Sequence, residues 1–338
     1  MKIGYMGTPE ISAELLKALI QAGYEIKYVI SNPDRPKGRS GTPQPSPVSQ
    51  AALEAGLPLL RPEKPAEILD EIRNTEVDAV IVFAYGSILP EGFLSLGKIG
   101  IFNLHASLLP ELRGASPIQS AILQGLTTTG WSFQFVSQKM DCGNVVAEKS
   151  LPIDPEETAL ELTEKMLPAG IQLVLDTLPR LEELAPRATA QDESKATYCR
   201  KILPEHSYLD WKQSPLHLHN QIRGMNPRPT ARTVLVEGDR GDDPGQAGRL
   251  FKIYRSKLLS AEQLQTLQDE KQLMAAAPGD LLSFRLDGSP ALPVVTGNNQ
   301  ALQILSLQPQ NKKQMDAVSF LNGHKVGSGQ RFVIPAEI

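Results

Sequence analysis

One stretch decides how this chain is read: Gly100-Ile101-Phe102-Asn103-Leu104-His105-Ala106-Ser107-Leu108-Leu109-Pro110. It begins as a short apolar run typical of a strand and then brings an amide, an imidazole and a hydroxyl close together. Residues two apart in a strand point to the same face, so we expect Asn103 and His105 to project side by side. The stretch therefore predicts a strand whose carboxyl end carries an amide donor and a titratable base.

The N-terminal residues predict a β-α-β unit. An apolar strand over 2–7 is followed by a helix, with Thr8 as its N-cap and Pro9 at its first position, and then by a strand over 26–31. This opening indicates a parallel, doubly wound α/β sheet. The glycines of Gly4-x-x-Gly7 do not make G-x-G-x-x-G, so the dinucleotide fingerprint is missing and a nicotinamide-dependent dehydrogenase is disfavoured.

A second segment points to the same edge of that sheet. Residues 77–84 form the most convincing buried parallel strand of the chain, and it leads into the turn Tyr85-Gly86-Ser87-Ile88-Leu89-Pro90. Open α/β sheets bind ligands outside the carboxyl ends of their parallel strands. We therefore expect a crevice between this turn and the strand that carries Asn103.

A carboxylate follows in the connection between two further strand-like runs, 129–136 and 144–151. Asp141 lies in that connection, two residues before Gly143. An Asp close to a Gly in a hairpin is typical of an Asx turn, and spacing alone does not separate that interpretation from a catalytic carboxylate.

The C-terminal part has a different pattern, in which short strand-like runs alternate with turns. Such a pattern predicts a small antiparallel barrel, most economically an OB-like fold. The runs are 233–237, 250–256, 279–284, 292–296 and 301–307. We expect a catalytic domain over 1–186, a linker over 187–206 and the OB-like domain over 207–338.

Composition excludes several classes of protein. Of 338 residues, 41% are hydrophobic and 21% are charged, and no run approaches about 20 apolar residues, so we expect a soluble, cytoplasmic protein. Two cysteines are too few for a disulfide framework, and His217-x-His219 does not place both rings on one helix face, so no metal is expected. The first 206 residues carry 19 basic and 26 acidic side chains, whereas the remainder carries 15 basic and 12 acidic ones. The mildly basic second part weakly favours contact with a nucleic-acid backbone.

Taken together, the motifs resemble the folate-dependent formyltransferase family. The resemblance rests on Asn103-x-His105, on Ser107 to Pro110, on Arg113-Gly-x-x-Pro-Ile-Gln and on Met140-Asp141-Cys142-Gly143, and it extends to the C-terminal segment 305–323. It implies a Rossmann-like catalytic domain followed by the OB-like barrel. It also implies transfer of a formyl group from 10-formyltetrahydrofolate, the co-substrate, to the α-amino group of methionyl-tRNA, the aminoacylated initiator tRNA.

The resemblance assigns residues to three roles. Asn103, His105 and Asp141 are implied to be catalytic, with Asn103 donating to the developing oxyanion, His105 moving protons and Asp141 orienting the ring. The folate-binding residues implied by the family segments are Ser107, Leu108, Leu109, Pro110, Phe83, Ala84, Tyr85, Gly86 and Leu89. The tRNA contacts implied are Arg35, Lys37 and Arg39, in the Pro- and Gly-rich insert after the second strand, and Lys312 and Lys313 near the C terminus.

Three other functions remain in view. Glycinamide ribonucleotide formyltransferase shares the catalytic group but lacks the second domain. A formyltransferase acting on an amino-sugar nucleotide shares both fold and chemistry. A catalytically silent RNA-binding protein is the alternative outside the enzymes, although it has little use for Asn103, His105 and Asp141 together. We expect a monomer.

Overall fold

Eleven strands precede residue 200 in the computed structural model of this chain, which describes residues 1–36, 41–237, 248–269, 272–273, 276–282, 284–286, 288–327 and 329–335. They are β1 (Lys2–Gly7), β2 (Glu25–Ile30), β3 (Arg35–Pro36), β4 (Pro43–Gln44), β5 (Leu59–Leu60), β6 (Ala79–Phe83), β7 (Gly100–His105), β8 (Arg113–Gly114), β9 (Thr128–Phe135), β10 (Val145–Pro152) and β11 (Tyr198–Cys199).

Within the described residues, six α-helices lie between these strands. They are α1 (Glu10–Gln21), α2 (Pro47–Glu54), α3 (Leu69–Arg73), α4 (Pro117–Leu123), α5 (Ala159–Thr177) and α6 (Leu181–Leu184). No helix in the described ranges combines the length and the apolar character that crossing a membrane requires.

The first sheet is mostly parallel, with the order β10-β9-β7-β6-β1-β2-β5. From β7 to β5 all neighbours are parallel, and the antiparallel pair β9 and β10 extends the sheet beyond β7. The chain lays β2 and β5 on one side of β1 and then crosses to place β6 and β7 on the other. The strand order therefore reverses between β1 and β6, and the carboxyl ends of strands at such a point are where these sheets bind ligands.

Burial explains why the central strands are so apolar. Every residue of β6 is buried, as expected for a parallel strand whose two faces are both covered. Along β9, the aromatic side chains of Trp131, Phe133 and Phe135 alternate with Gly130, Ser132 and Gln134. The alternation separates a packing face from a face that carries two polar side chains.

Trp131 anchors α5 to this sheet. Its indole Nε1 donates to the carbonyl of Met166 at 2.7 Å, and its ring meets Phe83 edge to face at 5.5 Å. Gly170 permits this contact, because a Cβ at that position would lie 2.7 Å from the indole ring. A bulky side chain at position 131 thus fills the space between strand and helix.

The C-terminal elements form a second sheet. The strands are β12 (Ala231–Glu237), β13 (Arg249–Leu258), β14 (Phe284–Leu286), β15 (Ser289–Thr296), β16 (Gln300–Pro309), β17 (Met315–Asp316) and β18 (Gln330–Val333), and the helices are α7 (Pro215–Gly224), α8 (Ala261–Asp269) and α9 (Ala317–Gly323). The order is β14-β15-β16-β13-β12-β18, β17 also pairs with β16, and all the pairs are antiparallel.

The segment 279–282 closes this second sheet into a barrel. Leu281 donates its amide to Gln330 in β18, and the amide of Leu282 donates to Pro293 in β15. Since β15 and β18 lie near opposite ends of the strand order, bonding to both removes the open edges. The predicted fold class, a Rossmann-like α/β domain followed by an OB-like barrel, is confirmed.

Contacts between Cα atoms divide the chain into two units that do not follow the chain in single blocks. One unit comprises 1–117, 128–152 and 164–200, and the other comprises 118–127, 153–163 and 201–338. The expected domains over 1–186, 187–206 and 207–338 stay a prediction.

One local prediction is wrong. The N-cap of α1 is Pro9 rather than Thr8, and no side chain caps this helix. The hydroxyl of Thr8 donates instead to the carbonyl of Tyr85 at 2.8 Å. A tertiary partner has therefore replaced the local one, and Thr8 ties the start of α1 to the turn that follows β6.

A buried histidine joins α7 to its surroundings within the second unit. His219 is 3% exposed, and its two ring nitrogens lie 3.0 Å from the hydroxyl of Ser256 and 3.1 Å from the carbonyl of Pro155. Burial lowers the pKa of His219, and nearby Arg223 acts in the same direction, while the Pro155 carbonyl and Glu156 oppose them. The neutral ring is therefore the form that the fold favours.

We expect His219→Gln to flatten the pH dependence of stability. Between the lowered folded pKa and the unfolded value of about 6.5, the unfolded chain binds more protons, so stability is lost as pH falls through that window. The substitution removes this titration. Thermal unfolding midpoints between about pH 5 and pH 8 measure the effect, and His217→Gln, an exposed position on the same helix, is the control. A wild-type pH slope in His219→Gln would contradict the expectation.

Candidate active site

His105 and Asp141 meet at the carboxyl end of β7. The distance between His105 Nδ1 and Asp141 Oδ1 is 3.6 Å, and the two side chains are 6% and 13% exposed. Asp141 lies 36 positions further along the chain, in the connection between β9 and β10. The antiparallel pairing of β7 with β9, in which His105 lies opposite Ser132, brings that connection back to the end of β7.

The carboxylate of Asp141 is fixed on both oxygens. Oδ2 accepts the backbone amide of Gly114 at 2.8 Å, and Oδ1 accepts Nε2 of Gln134 at 3.3 Å. The backbone of Asp141 is left-handed, with φ of 54°, a conformation that Asp tolerates better than most residues. Asp141 is therefore aimed at His105 by a bent backbone and two hydrogen bonds.

Both ring nitrogens of His105 face oxygen atoms. Nε2 lies 3.0 Å from the carbonyl of Leu112, and Nδ1 faces Asp141 across the longer distance of 3.6 Å. An imidazolium has two N–H donors and satisfies both oxygens, whereas the neutral ring has one. Any proton exchange with a substrate requires the ring to give up one contact, and the longer contact, at Nδ1, is the weaker of the two.

Asn103 projects from the same face of β7 as His105. It lies opposite Gln134 on β9 and opposite Val82 on β6, and it is half-buried. In the described part of the chain its amide has no hydrogen-bond partner, so its two N–H donors remain for an oxygen of a substrate.

The first group of predicted folate-binding residues leaves β6 next to this point. β6 and β7 are adjacent and parallel, so residues 83–86 and His105 emerge at one edge of the sheet. Phe83 and Tyr85 are buried, whereas Ala84 and Gly86 are exposed and have positive φ angles of 49° and 85°. The surface of this turn is thus mainly backbone, and Leu89 packs partly into the core below it.

The second group follows β7 directly. Ser107 and Leu109 are buried, and Leu108 and Pro110 are half-buried. The hydroxyl of Ser107 donates to the carbonyl of Glu111 at 2.5 Å, and the amide of Leu109 donates to Ser132 Oγ at 3.0 Å. These polar groups hold the turn itself, so the predicted contribution of the segment is its shape and its remaining backbone groups.

The predicted tRNA contacts that the structure describes are exposed. Arg35 is exposed in β3, and Lys312 and Lys313 are exposed in the turn after β16. Lys37 and Arg39 lie outside the described residues. The structure thus brings together His105, Asp141 and Asn103 with the two predicted folate segments at one edge of the first sheet.

Three side chains next to the site were not among the predicted residues. Gln134 carries the bond to Asp141, Gln191 contacts the Asp141 loop, and Arg113, whose side chain is 0% exposed, binds Gln191 and Glu193. Gln134 had a signal in the sequence, because Ser132 and Gln134 interrupt an aromatic strand with period two. Gln191 had none, since it lies in an aperiodic segment.

Within the described ranges, no three His, Cys, Asp or Glu side chains come together in the manner of a metal site.

Comparison with known proteins gives two family matches. Residues 1–178 match the formyl transferase family, and residues 201–325 match the C-terminal domain of formyl transferases. The methionyl-tRNA formyltransferase of Bacillus licheniformis is 37% identical over 332 residues, which cover 98% of this chain and 97% of the relative. The methionyl-tRNA formyltransferase of Leptospira interrogans is 39% identical over 339 residues, covering 98% and 100%.

Solved structures with the same fold are more distant in sequence. WlaRD, a sugar 3N-formyl transferase solved with dTDP and 5-N-formyl-THF, has a TM-score of 0.63 at 19% identity and covers 93% of this chain and 99% of its own. An N-formyltransferase from Helicobacter canadensis, in complex with folinic acid and dTDP-3-aminofucose, has a TM-score of 0.62 at 16% identity, covering 90% and 98%. At these identities the likeness concerns the fold alone.

We expect Gly114→Ala to disturb the site as well as the fold. Gly114 has φ of 117°, its amide binds Asp141, and a Cβ would lie 2.2 Å from the carbonyl of Cys199. Gly56→Ala is the matched control, because Gly56 also has a positive φ, of 64°, but open space around it. Gly56→Ala should cost about 1 kcal/mol of stability, and Gly114→Ala should cost more. Thermal unfolding measures both losses of stability. Equal midpoints in the two variants would show that the contact with the Cys199 carbonyl adds no cost in stability.

Proposed function

The chain belongs to the formyl transferase family, and we propose that it transfers a formyl group from 10-formyltetrahydrofolate to the α-amino group of methionyl-tRNA. Similarity to methionyl-tRNA formyltransferases over 98% of the chain supports the acceptor. The observation that carries the chemistry is the contact of 3.6 Å between His105 Nδ1 and Asp141 Oδ1, beside the Asn103 amide, which has no hydrogen-bond partner among the described residues.

The reaction makes two demands. Attack of the neutral amine on the formyl carbon forms the new C–N bond and places negative charge on the formyl oxygen. Collapse of that intermediate breaks the bond to the folate nitrogen, which leaves with a proton, while the attacking nitrogen loses one. A site for this reaction needs a donor to the oxyanion and a group that exchanges protons.

Asn103 meets the first demand and His105 the second. The Asn103 amide donates without titrating, so it remains a donor to the oxyanion at any working pH. His105 is held at Nε2 by the Leu112 carbonyl, and Nδ1, which makes only the longer contact of 3.6 Å to Asp141, is the nitrogen proposed to exchange protons. Asp141 holds the ring in place and balances its positive charge. In this proposal Asp141 positions the His105 ring and balances its charge, and it forms no bond to substrate.

The co-substrate is proposed to lie along the edge where residues 83–86 and 107–110 meet. Ala84 and Gly86 expose backbone there, and a flat heterocycle packs closely against backbone that has no long side chains. The family match supports a folate-type co-substrate in this chain, and two structures of the same fold were solved with the folate derivatives 5-N-formyl-THF and folinic acid.

The acceptor tRNA is proposed to contact the exposed basic side chains Arg35, Lys312 and Lys313, together with Lys37 and Arg39. Lysine and arginine bind phosphates by charge, so these contacts contribute affinity rather than sequence recognition. The proposed reaction belongs to translation initiation, and the proposal therefore includes a cytoplasmic location. The monomeric state stays a prediction.

A formylation assay decides between acceptors. Purified protein is incubated with 10-formyltetrahydrofolate and either methionyl-tRNA or a dTDP-linked amino sugar, and transfer of label to each acceptor is measured. We expect formyl-methionyl-tRNA and no formylated sugar nucleotide. Transfer to the sugar alone would replace the proposed acceptor, and folate binding without transfer to either would indicate a silent binding protein.

Substitution of the site residues tests the roles within that assay. We expect Asn103→Ala to lower turnover by at least about tenfold, since one oxyanion donor is worth about 3 kcal/mol. We expect Asp141→Asn to lower turnover by at least about tenfold as well, because the ring loses its charged partner. Wild-type turnover in either folded variant removes that residue from the mechanism.

A further inference from the structure

Gln191 connects the segment after α6 to the loop that carries Asp141. We propose that Gln191 is a positioning residue, which holds the loop 141–143 so that the Asp141 carboxylate faces His105. The inference rests on the proposed function, because it gives Gln191 a role only through Asp141. In the described part of the chain, the Gln191 side chain has no hydrogen bond to His105 or to Asn103.

The amide nitrogen of Gln191 sits among three oxygen atoms. Nε2 lies 2.8 Å from the carbonyl of Asp141, 2.7 Å from the carbonyl of Gly143 and 3.2 Å from Oε1 of Gln134. An amide has two N–H donors, and the two shortest distances join it to the backbone on both sides of Cys142. The Gln191 side chain thus holds the loop by binding two main-chain carbonyls of the loop.

The orientation of the Gln191 amide is determined by its neighbours. Oε1 accepts from Nε of Arg113 at 3.0 Å and from Nη2 at 2.8 Å. A guanidinium only donates, and the three atoms on the other side include two carbonyls that only accept. Rotating the amide would set donors against donors and acceptors against acceptors, so only one orientation is compatible with the site.

Arg113 is in turn held firmly. Its buried guanidinium also forms a bidentate pair with Glu193, at 3.0 and 2.8 Å, and donates to the hydroxyl of Tyr198 at 3.1 Å. A paired, buried guanidinium has a fixed place, because leaving it would leave a charge unpaired. Gln191 is therefore a short rigid bridge between Arg113 and the loop.

The conformation and the exposure of the loop 141–143 explain why it needs the contact with Gln191. Asp141 adopts φ of 54°, and Met140, directly before it, is 62% exposed. Gln191 also lies beside Oε1 of Gln134, whose Nε2 donates to Asp141 Oδ1, the oxygen nearest His105. Gln191 thus acts on Asp141 by two routes, through the backbone carbonyl and through Gln134.

The test is Gln191→Glu in the full-length protein. The glutamate keeps acceptor oxygens for Arg113 but turns an oxygen toward the carbonyls of Asp141 and Gly143, so the clamp becomes a repulsion. We expect kcat for formylation of methionyl-tRNA to fall between about tenfold and 100-fold, with KM for both substrates within about twofold, since misplacement of a catalytic group acts on turnover.

A double-mutant cycle separates positioning from general damage. If Gln191 acts through Asp141, then Gln191→Glu should lower kcat by less than about twofold when introduced into Asp141→Asn. An equal factor in both backgrounds would overturn the inference, as would wild-type kcat in Gln191→Glu. Wild-type kcat in Asp141→Asn itself would instead remove the proposed role of Asp141, and the inference with it.

Two further variants keep the test independent of folding. Gln191→Asn retains the amide but is one methylene too short to span Arg113 and both carbonyls. It should therefore show the same loss of kcat, and the loss should again be less than about twofold when Gln191→Asn is introduced into Asp141→Asn. Asp192→Asn is the matched control, because the Asp192 side chain contacts only Ser194 and Lys195 among the described residues, and its kcat should stay at the wild-type value. Thermal unfolding midpoints confirm that each variant is folded.

Discussion

The buried guanidinium of Arg113 is the constraint on which the site depends. A charge removed from water must be paired and hydrogen-bonded, and among the described residues the hydrogen-bond partners of this guanidinium come from 191–198. That segment is thereby drawn onto the strand β8, where β11 pairs with it and Thr197 binds the backbone of Leu112 and Arg113. Residues without any secondary-structure period thus become part of the site.

The segment 191–198 in turn fixes the backbone that faces His105, because Thr197 binds Leu112 and Arg113. Leu112, whose carbonyl receives His105 Nε2, has φ of 55°, and Ala84 and Asp141 are left-handed as well. Each such residue costs roughly 1–3 kcal/mol and persists only where its surroundings determine it. Two of them, Leu112 and Asp141, face the imidazole and indicate that the backbone is bent to present a carbonyl oxygen and a carboxylate at set places. The parallel sheet, with its core buried on both faces, provides the rigid edge that such a site requires.

Much of this arrangement was predictable because it follows from short-range rules. Alternation along β7 put Asn103 and His105 on one face, and continuous apolar runs identified β1 and β6. Short alternating runs near the C terminus indicated a barrel. The prediction that Thr8 caps α1 was wrong, because the Thr8 hydroxyl donates to the carbonyl of Tyr85 instead. The strand over 330–333 and helices α8 and α9 were not predicted, since their apolar patterns are too short to stand out.

The amino-acid sequence by itself determined the fold class and placed Asn103 and His105 on one face of a strand, because periodicity is a property of neighbours along the chain; Asp141 was singled out only by its resemblance to a family motif. Only the tertiary structure decided what surrounds them. The approach of Asp141 to His105 depends on strand pairing between β7 and β9, and the network of Arg113, Gln191 and Gln134 depends on contacts between residues up to 78 positions apart. Burial favours such contacts because an unpaired buried polar group costs free energy, and no local pattern records which partner the group finds.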